Sequence, residues 1–179
     1  MPYNAPPTFV DGDPLPAADL NVLGDDIEYL YGVSQGVTAS GVQVSRSSNQ
    51  AVSSGSHAYV SFEAEAFDFG GWWSSGTTIT VPAGAIPAGF TTILLQVAVN
   101  AKFASNGTGI RRIEVHKNGA SFGSWQVSAI SGDQTDLILP EWTTVAAGDT
   151  IKLDVYQTSG SSLNLTEARM TVMRVAPAA

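Results

Sequence analysis

Glu63 and Glu65 stand two positions apart, with Asp68 three residues further on. Two carboxylates that share a strand face, near the separation retaining glycosidases use, are the machinery of glycosidic-bond hydrolysis. Here the surrounding sequence alternates with period two. Ala58, Val60, Phe62, Ala64 and Ala66 fall on one side, and Tyr59, Ser61, Glu63, Glu65 and Phe67 on the other. Alternation by itself puts carboxylates on a solvated face, so the pair carries no enzyme reading without a pocket. The two histidines, His57 and His116, lie in no metal-ligand spacing. Serine is plentiful, but no G-x-S-x-G elbow frames one. Gly107-Thr108-Gly109 is too short to cradle a phosphate and leads into a strand pattern rather than a helix. The expectation is therefore no enzyme, no cofactor and no metal.

Tryptophan remains. Trp72 and Trp73 sit among glycine and serine in DFGGWWSSG. Such a loop suits a sugar-stacking or protein-contact surface, and equally suits an aromatic plug at the end of a β-sandwich. Both readings stay open at this point, with Trp72 and Trp73 as the candidate receptor contacts.

The elements that must position these residues divide into four. Residues 1–14 are an extended, proline-rich arm, since five of the nine prolines lie within the first sixteen positions. Its large apolar groups, Tyr3, Phe9 and Val10, are read as attachment anchors, because a free arm has no need of them; the other reading is a disordered arm. Residues 15–32 are the one convincing helix pattern. Leu20, Leu23, Ile27 and Leu30 recur at intervals of three, four and three, the spacing of a coiled-coil seam. Pro16 and Asp19 suit its start and Gly32 its stop. It spans barely two heptads and contains Gly24, so it cannot hold copies together alone. The other reading is an amphipathic helix packed on its own domain. Residues 33–41 read as a linker. From residue 42 to 179 the period is two, with turn signals at short regular spacing. That predicts an all-β sandwich of about eight to ten antiparallel strands. The strongest strand covers 92–103, and Asn118-Gly119 is the best hairpin turn. Another strand covers 136–139, which Pro140 ends or marks as an edge.

Composition narrows the partners. The net charge is −8, and six acids with no base fall in residues 1–45, leaving ten acids against eight bases beyond them. Clustered lysine and arginine are what nucleic acid requires, so no nucleic-acid partner is expected, whereas an acidic arm suits either a basic protein surface or plain solvation. There is no cysteine, hence no disulfide framework. No apolar run approaches a membrane span, so no membrane insertion is expected. The opening MPYNAPPTF has neither a basic residue nor an apolar core. A protein made in a cytoplasm, leaving it by lysis or within an assembly, is expected.

Several stretches carry a resemblance. GVQVSR at 41–46, HAYVSFEAEAFD at 57–68, TITVPAG at 78–84, a long strand ending Asn100-Ala101-Lys102-Phe103, RRIEVHKNG at 111–119 and LPEWTTVAAGDTIKLDVYQ at 139–157 follow in order. Together they resemble the complement/tumour-necrosis-factor-like globular domain, in the version found in bacteriophage structural proteins. TFVDGDPLPAADLN at 8–21 resembles the opening of phage tail-fibre and minor tail proteins. The resemblance implies a ten-stranded jelly roll, a homotrimer, and attachment to other virion proteins through the arm. It implies a virion location, a tail fibre or knob displayed toward a host-surface glycan, with capsid decoration protein or head fibre as the alternative. A polysaccharide-degrading enzyme through Glu63 or Glu65 is the second alternative, and a secreted lectin-like module the third. The chain departs from the family in lacking a collagen-like stalk and a dense acidic calcium loop.

Overall fold

The computed structural model describes residues 39–178. The arm, the helix pattern and nearly all of the linker lie outside them. So do Tyr3, Phe9, Val10, Leu20, Leu23, Ile27 and Leu30.

Eleven antiparallel strands form two sheets among the described residues. They are β1 (Gly41–Arg46), β2 (Gln50–Val52), β3 (His57–Tyr59), β4 (Ala64–Phe69), β5 (Ile79–Thr80), β6 (Thr92–Phe103), β7 (Ile110–Lys117), β8 (Ala120–Ser128), β9 (Thr135–Ala146), β10 (Thr150–Gln157) and β11 (Leu163–Ala178). One sheet runs β4-β1-β11-β6-β9, with β2 added on β11; the other runs β3-β10-β7-β8, with β5 added on β10. This is a jelly-roll sandwich, as the period-two pattern predicts. The count exceeds ten because β2, β3 and β5 are only two or three residues long.

Alternation explains the core. Ile93, Leu95, Val97, Val99, Ala101 and Phe103 of β6 all face inward and are buried. They meet Ile113 and Val115 of β7 and Ile151, Leu153 and Val155 of β10 within one apolar cluster. Each fully buried aliphatic side chain stabilises by roughly 1.5–3 kcal/mol. β-branched residues dominate because they suit a pleated surface covered on one face.

Two expectations need correction. The alternation over 57–67 is not one strand. The Val60 N–H donates to the Leu153 carbonyl at 2.9 Å, in the five-stranded sheet. Three residues later the Glu63 N–H donates to Ser45 at 2.9 Å, in the six-stranded sheet. The chain crosses the sandwich in between, burying Val60 and Phe62 on the way. Val60 and Phe62 keep the period of two through the crossing, but beyond it Ala64 and Ala66 are exposed and the β1–β4 register shifts between Glu65 and Phe67. Second, the strand at 136–139 continues to Ala146, straight through Pro140. Pro140 is tolerated because β9 pairs only with β6 and is a sheet edge.

The Asn118-Gly119 hairpin forms as expected, with φ of 51° and 84° at the two central residues. It is tied to the β9–β10 turn. The Asn118 side-chain amide donates to Asp149 Oδ1 at 2.7 Å, and its carbonyl oxygen accepts the Thr150 N–H at 2.8 Å. Asp149 Oδ2 accepts the Ala146 N–H at 2.9 Å. Partial burial pushes the Asp149 carboxyl upward. The Asn118 amide, the Ala146 N–H and the charge of Lys117 outweigh that and hold it below its ordinary range. A depressed folded value means stability that is present above the unfolded value and lost as pH falls through the folded one. Asp149→Ala is therefore expected to lower stability by about 1 kcal/mol at neutral pH. Urea melts should show the gap from wild type closing below about pH 4; a gap independent of pH would contradict this account.

Candidate functional site

The exposed face of β9 carries Ile138, Pro140 and Trp142 in alternation. Ile138 is 67% exposed and Trp142 51%. Their register partners on β6 are Asn100, Ala98 and Gln96, so the strip lies on the outer face of the six-stranded sheet. Edge strands of natural sheets are usually blunted by charge, because open apolar edges invite association. Here the edge is apolar, with two large side chains in water.

The edge of the other sheet adds to the strip. Trp125 of β8 is 51% exposed, and so is Ile130 beyond it. The two edge strands approach closely at Gly123. A Cβ there would stand 2.3 Å from Glu141 Cγ, so glycine lets β8 close toward β9. Trp125, in register with inward Ile113, and Ile138, Pro140 and Trp142, on the outer face of the other sheet, make an apolar rim on the two sides of the β8–β9 edge.

A second apolar patch sits at the opposite edge of the six-stranded sheet. Phe67 and Phe69 of β4 stack with ring centroids 5.1 Å apart, and Phe69 is 51% exposed. Between the two edges the outer face is neutral around Gln43, Gln96, Ala98 and Thr171, with Lys102, Glu167 and Arg169 gathered toward one end. Gln43 donates to Thr171 Oγ1 at 2.8 Å, and Ala98 and Gln96 pair with Thr171 and Met173. Such a face is cheap to dry, since few charges must be desolvated.

The sequence-derived candidates fare differently. Trp72 is 1% exposed. Its indole N–H is shared between Ser40 Oγ and the Phe69 carbonyl, each at 3.2 Å. It is a core plug and not a surface contact. Trp73 is half-buried and packs against the same core, its indole N–H donating to Gly76 at 3.3 Å. The cause is Asp68, whose two carboxylate oxygens accept the Trp72 and Trp73 N–H groups at 2.8 and 3.0 Å and fold the loop inward.

Glu63 is likewise committed. It accepts the Ser48 hydroxyl and the Ser48 and Ser47 N–H groups, the latter two at 3.1 and 3.2 Å, and pairs with Arg46 at 3.2 Å. The Ser48 hydroxyl foremost, then those amides and Arg46, hold its carboxyl below the usual range against a smaller opposing effect of desolvation. A carboxylate so held closes the 46–49 turn and is poorly placed as a general acid. Among the described residues no group of three or more His, Cys, Asp or Glu could hold a metal ion. None of the described helices is long and apolar enough to cross a membrane.

No family model and no curated protein sequence matches the chain. Solved structures do. Murine APRIL at pH 8.0 superposes with a TM-score of 0.57 at 12% identity, covering 77% of this chain and 100% of that one. Eiger TNF from S. frugiperda gives 0.57 at 13% identity, covering 79% and 95%. The globular domain of zebrafish complement 1qA gives 0.50 at 12%, covering 78% and 99%. The described residues have the tumour-necrosis-factor/C1q-like jelly-roll fold. Within that fold the apolar rim lies along the free edges of both sheets, and the Phe67–Phe69 patch lies across the six-stranded sheet from β9.

Proposed function

We propose that the chain is a non-enzymatic structural protein of a tailed-bacteriophage virion, a homotrimeric fibre or knob associated with the tail. It is synthesised in the bacterial cytoplasm and incorporated into the particle. The arm, through Tyr3, Phe9 and Val10, attaches it to other virion proteins. Leu20, Leu23, Ile27 and Leu30 form a short seam between copies. The jelly roll supplies the main interface and is displayed toward the host surface, where three weak sites on one rigid body gain by avidity.

The observation that carries this reading is the apolar rim of Trp125, Ile138, Pro140 and Trp142. Exposed patches of this kind mark association surfaces. The rim and the Phe67–Phe69 patch are different surfaces at opposite edges of one sheet. Two unlike patches that meet each other make a heterologous contact, and heterologous contacts that close make rings. The virion setting rests on the resemblance of residues 8–21 to phage tail openings.

Light scattering on a sizing column tests the assembly. The full chain should run at about three times its 18.6 kDa mass. A monomer at micromolar concentration would overturn the trimer. Gold-labelled antibody on intact particles tests the setting. Label on the tail supports the fibre, label on the shell makes the protein a decoration protein or head fibre, and unlabelled particles overturn the virion role.

A further inference from the structure

The outer face of the five-stranded sheet has the opposite character to the rim. Both histidines of the chain lie on it. The register sets Asp154 between Tyr59 of β3 and Glu114 of β7. It sets Tyr156 between His57 and Arg112, and Lys152 beside His116. Ser124 and Gln126 of β8 border Glu114 and Arg112 and add no charge.

Asp154 and Glu114 point away from the core, yet they are only 3% and 4% exposed. Their neighbours enclose them. His57 Nδ1 meets Asp154 Oδ1 at 2.6 Å. His116 Nε2 meets Glu114 Oε2 at 3.1 Å, and Arg112 pairs with Glu114 Oε1. The rings lock one another. His57 packs on Tyr156 with centroids 4.8 Å apart, and His116 meets the edge of Tyr59 at 5.6 Å. Lys152 Nζ lies 4.9 Å from the centre of the Tyr59 ring.

We propose that this face is a carbohydrate-binding surface for a neutral, hydroxyl-rich oligosaccharide. The inference rests on the reading above, since burial of the rim between copies leaves this face turned outward. A sugar hydroxyl both donates and accepts, so its surface must offer both kinds of group in fixed positions. The covered Asp154 and Glu114 hold the outer groups in place: Arg112 and Lys152 donate, the outer ring nitrogen of His57 accepts, and Tyr59 and Tyr156 offer hydroxyls and ring surface to the sugar. The two carboxylates balance the two permanent cations. That balance suits a neutral ligand and works against a polyanion, which needs net positive charge. A protein partner needs an apolar centre, and the one large exposed apolar side chain of this face is Tyr59, at 37%. Mutual packing fixes the side chains before the ligand arrives, which reduces the ordering cost of binding.

The test is retention of the full-length protein on immobilised neutral oligosaccharides of hexose and N-acetylhexosamine, beside acidic ones built on uronic and sialic acids. Solution mass is measured on the same samples. Retention on neutral glycans that persists as salt is raised is the expected result. Tyr156→Ala and Asp154→Asn are each expected to weaken it by about tenfold or more while the mass stays that of wild type. Should Asp154→Asn fail to fold, Tyr156→Ala and Tyr59→Ala carry the test. Retention on acidic glycans alone, fading with salt, would overturn the proposal. So would wild-type binding by the folded Tyr156→Ala protein, or no retention on any neutral glycan by an intact trimer. A wild-type monomer that binds neutral glycans through Tyr156 leaves this site standing and removes the assembly reading instead.

Discussion

Trp142→Asp is expected to turn the assembled protein into monomers. Trp142 leaves about half of its surface in water. A tryptophan buries roughly 150–250 Å² when enclosed, so covering the remainder removes about 100 Å² from solvent. At about 25 cal/mol per Å² that is about 2.5 kcal/mol per copy, or about 7 kcal/mol per trimer. A carboxylate in its place would also have to be dried on closure. The combined loss is on the order of five decades in the trimer dissociation constant, enough to leave monomers at micromolar concentration. Ile138→Asp is expected to act in the same direction, as it stands two pairs along the same strip. Because both side chains face water in the single chain, the monomers should keep their β-sheet circular dichroism. A Trp142→Asp protein that still elutes at the wild-type mass would show that this rim is not the contact between copies.

The second large effect lies at the loop end of the sandwich. Arg111 is fully buried. Its guanidinium donates to three backbone carbonyls, Thr108 and Ile110 at 3.0 Å and Asn106 at 2.8 Å. It lies 5.9 Å from the Phe103 ring, and its Nε has no hydrogen-bond partner. Burial pulls it below its ordinary value, though arginine stays charged inside proteins. The contacts shape the 104–109 loop. That loop also needs Gly109, where φ is +76° and a Cβ would stand 2.0 Å from the Thr158 carbonyl oxygen. Arg111→Ala strands the Asn106 and Thr108 carbonyls, while that of Ile110 keeps the Thr158 N–H at 3.2 Å, and it opens a cavity beside Phe103. Each stranded carbonyl costs about 1–3 kcal/mol, partly regained from water as the loop loosens. The expected net loss is about 3–5 kcal/mol, or a fall in Tm of about 10–20 °C for a domain of this size. Arg111→Lys should recover little, since one ammonium cannot span three carbonyls in a plane. Calorimetry decides it. A loss under about 1 kcal/mol for Arg111→Ala would mean that the loop is held by other contacts.

Much of this was legible beforehand, for identifiable reasons. The alternation over 92–103 placed β6 correctly because one of its faces is wholly covered. Asn118-Gly119 marked its hairpin because few other residue pairs accept two positive φ values. Arg111 was legible in principle, since it is in phase with Ile113 and Val115, the inward residues of its strand. Its hydrophilic side chain invited the opposite reading. Trp72 was ambiguous, because whether a Trp-rich loop folds in or out depends on the Asp68 carboxylate four residues before it. The rim escaped notice for a related reason. Pro140 made LILPEW either the end of a strand or a sheet edge, and nothing local chooses the edge that β9 is. The cluster of Asp154, Glu114, His57 and His116 comes from three strands far apart in sequence, and no local spacing announces it.

The pairing of β1 with β11 has a consequence for how the protein is made. Gly41 lies opposite Met173 and Arg46 opposite Ala168, so one of the two sheet neighbours of the first described strand comes more than a hundred residues later. β11 also pairs with β6 and β2 and stands at the centre of its sheet. Until the ribosome has released that strand, Val42, Val44 and the inner face of β6 lack the strand between them. The six-stranded sheet therefore cannot close before β11 has emerged. Such non-local topologies fold in milliseconds to seconds rather than microseconds. Through that interval the apolar edge of β9 is exposed on an unfinished sheet. Crowded nascent chains are thus at greatest risk of mispairing just before the sixteen residues of β11 arrive.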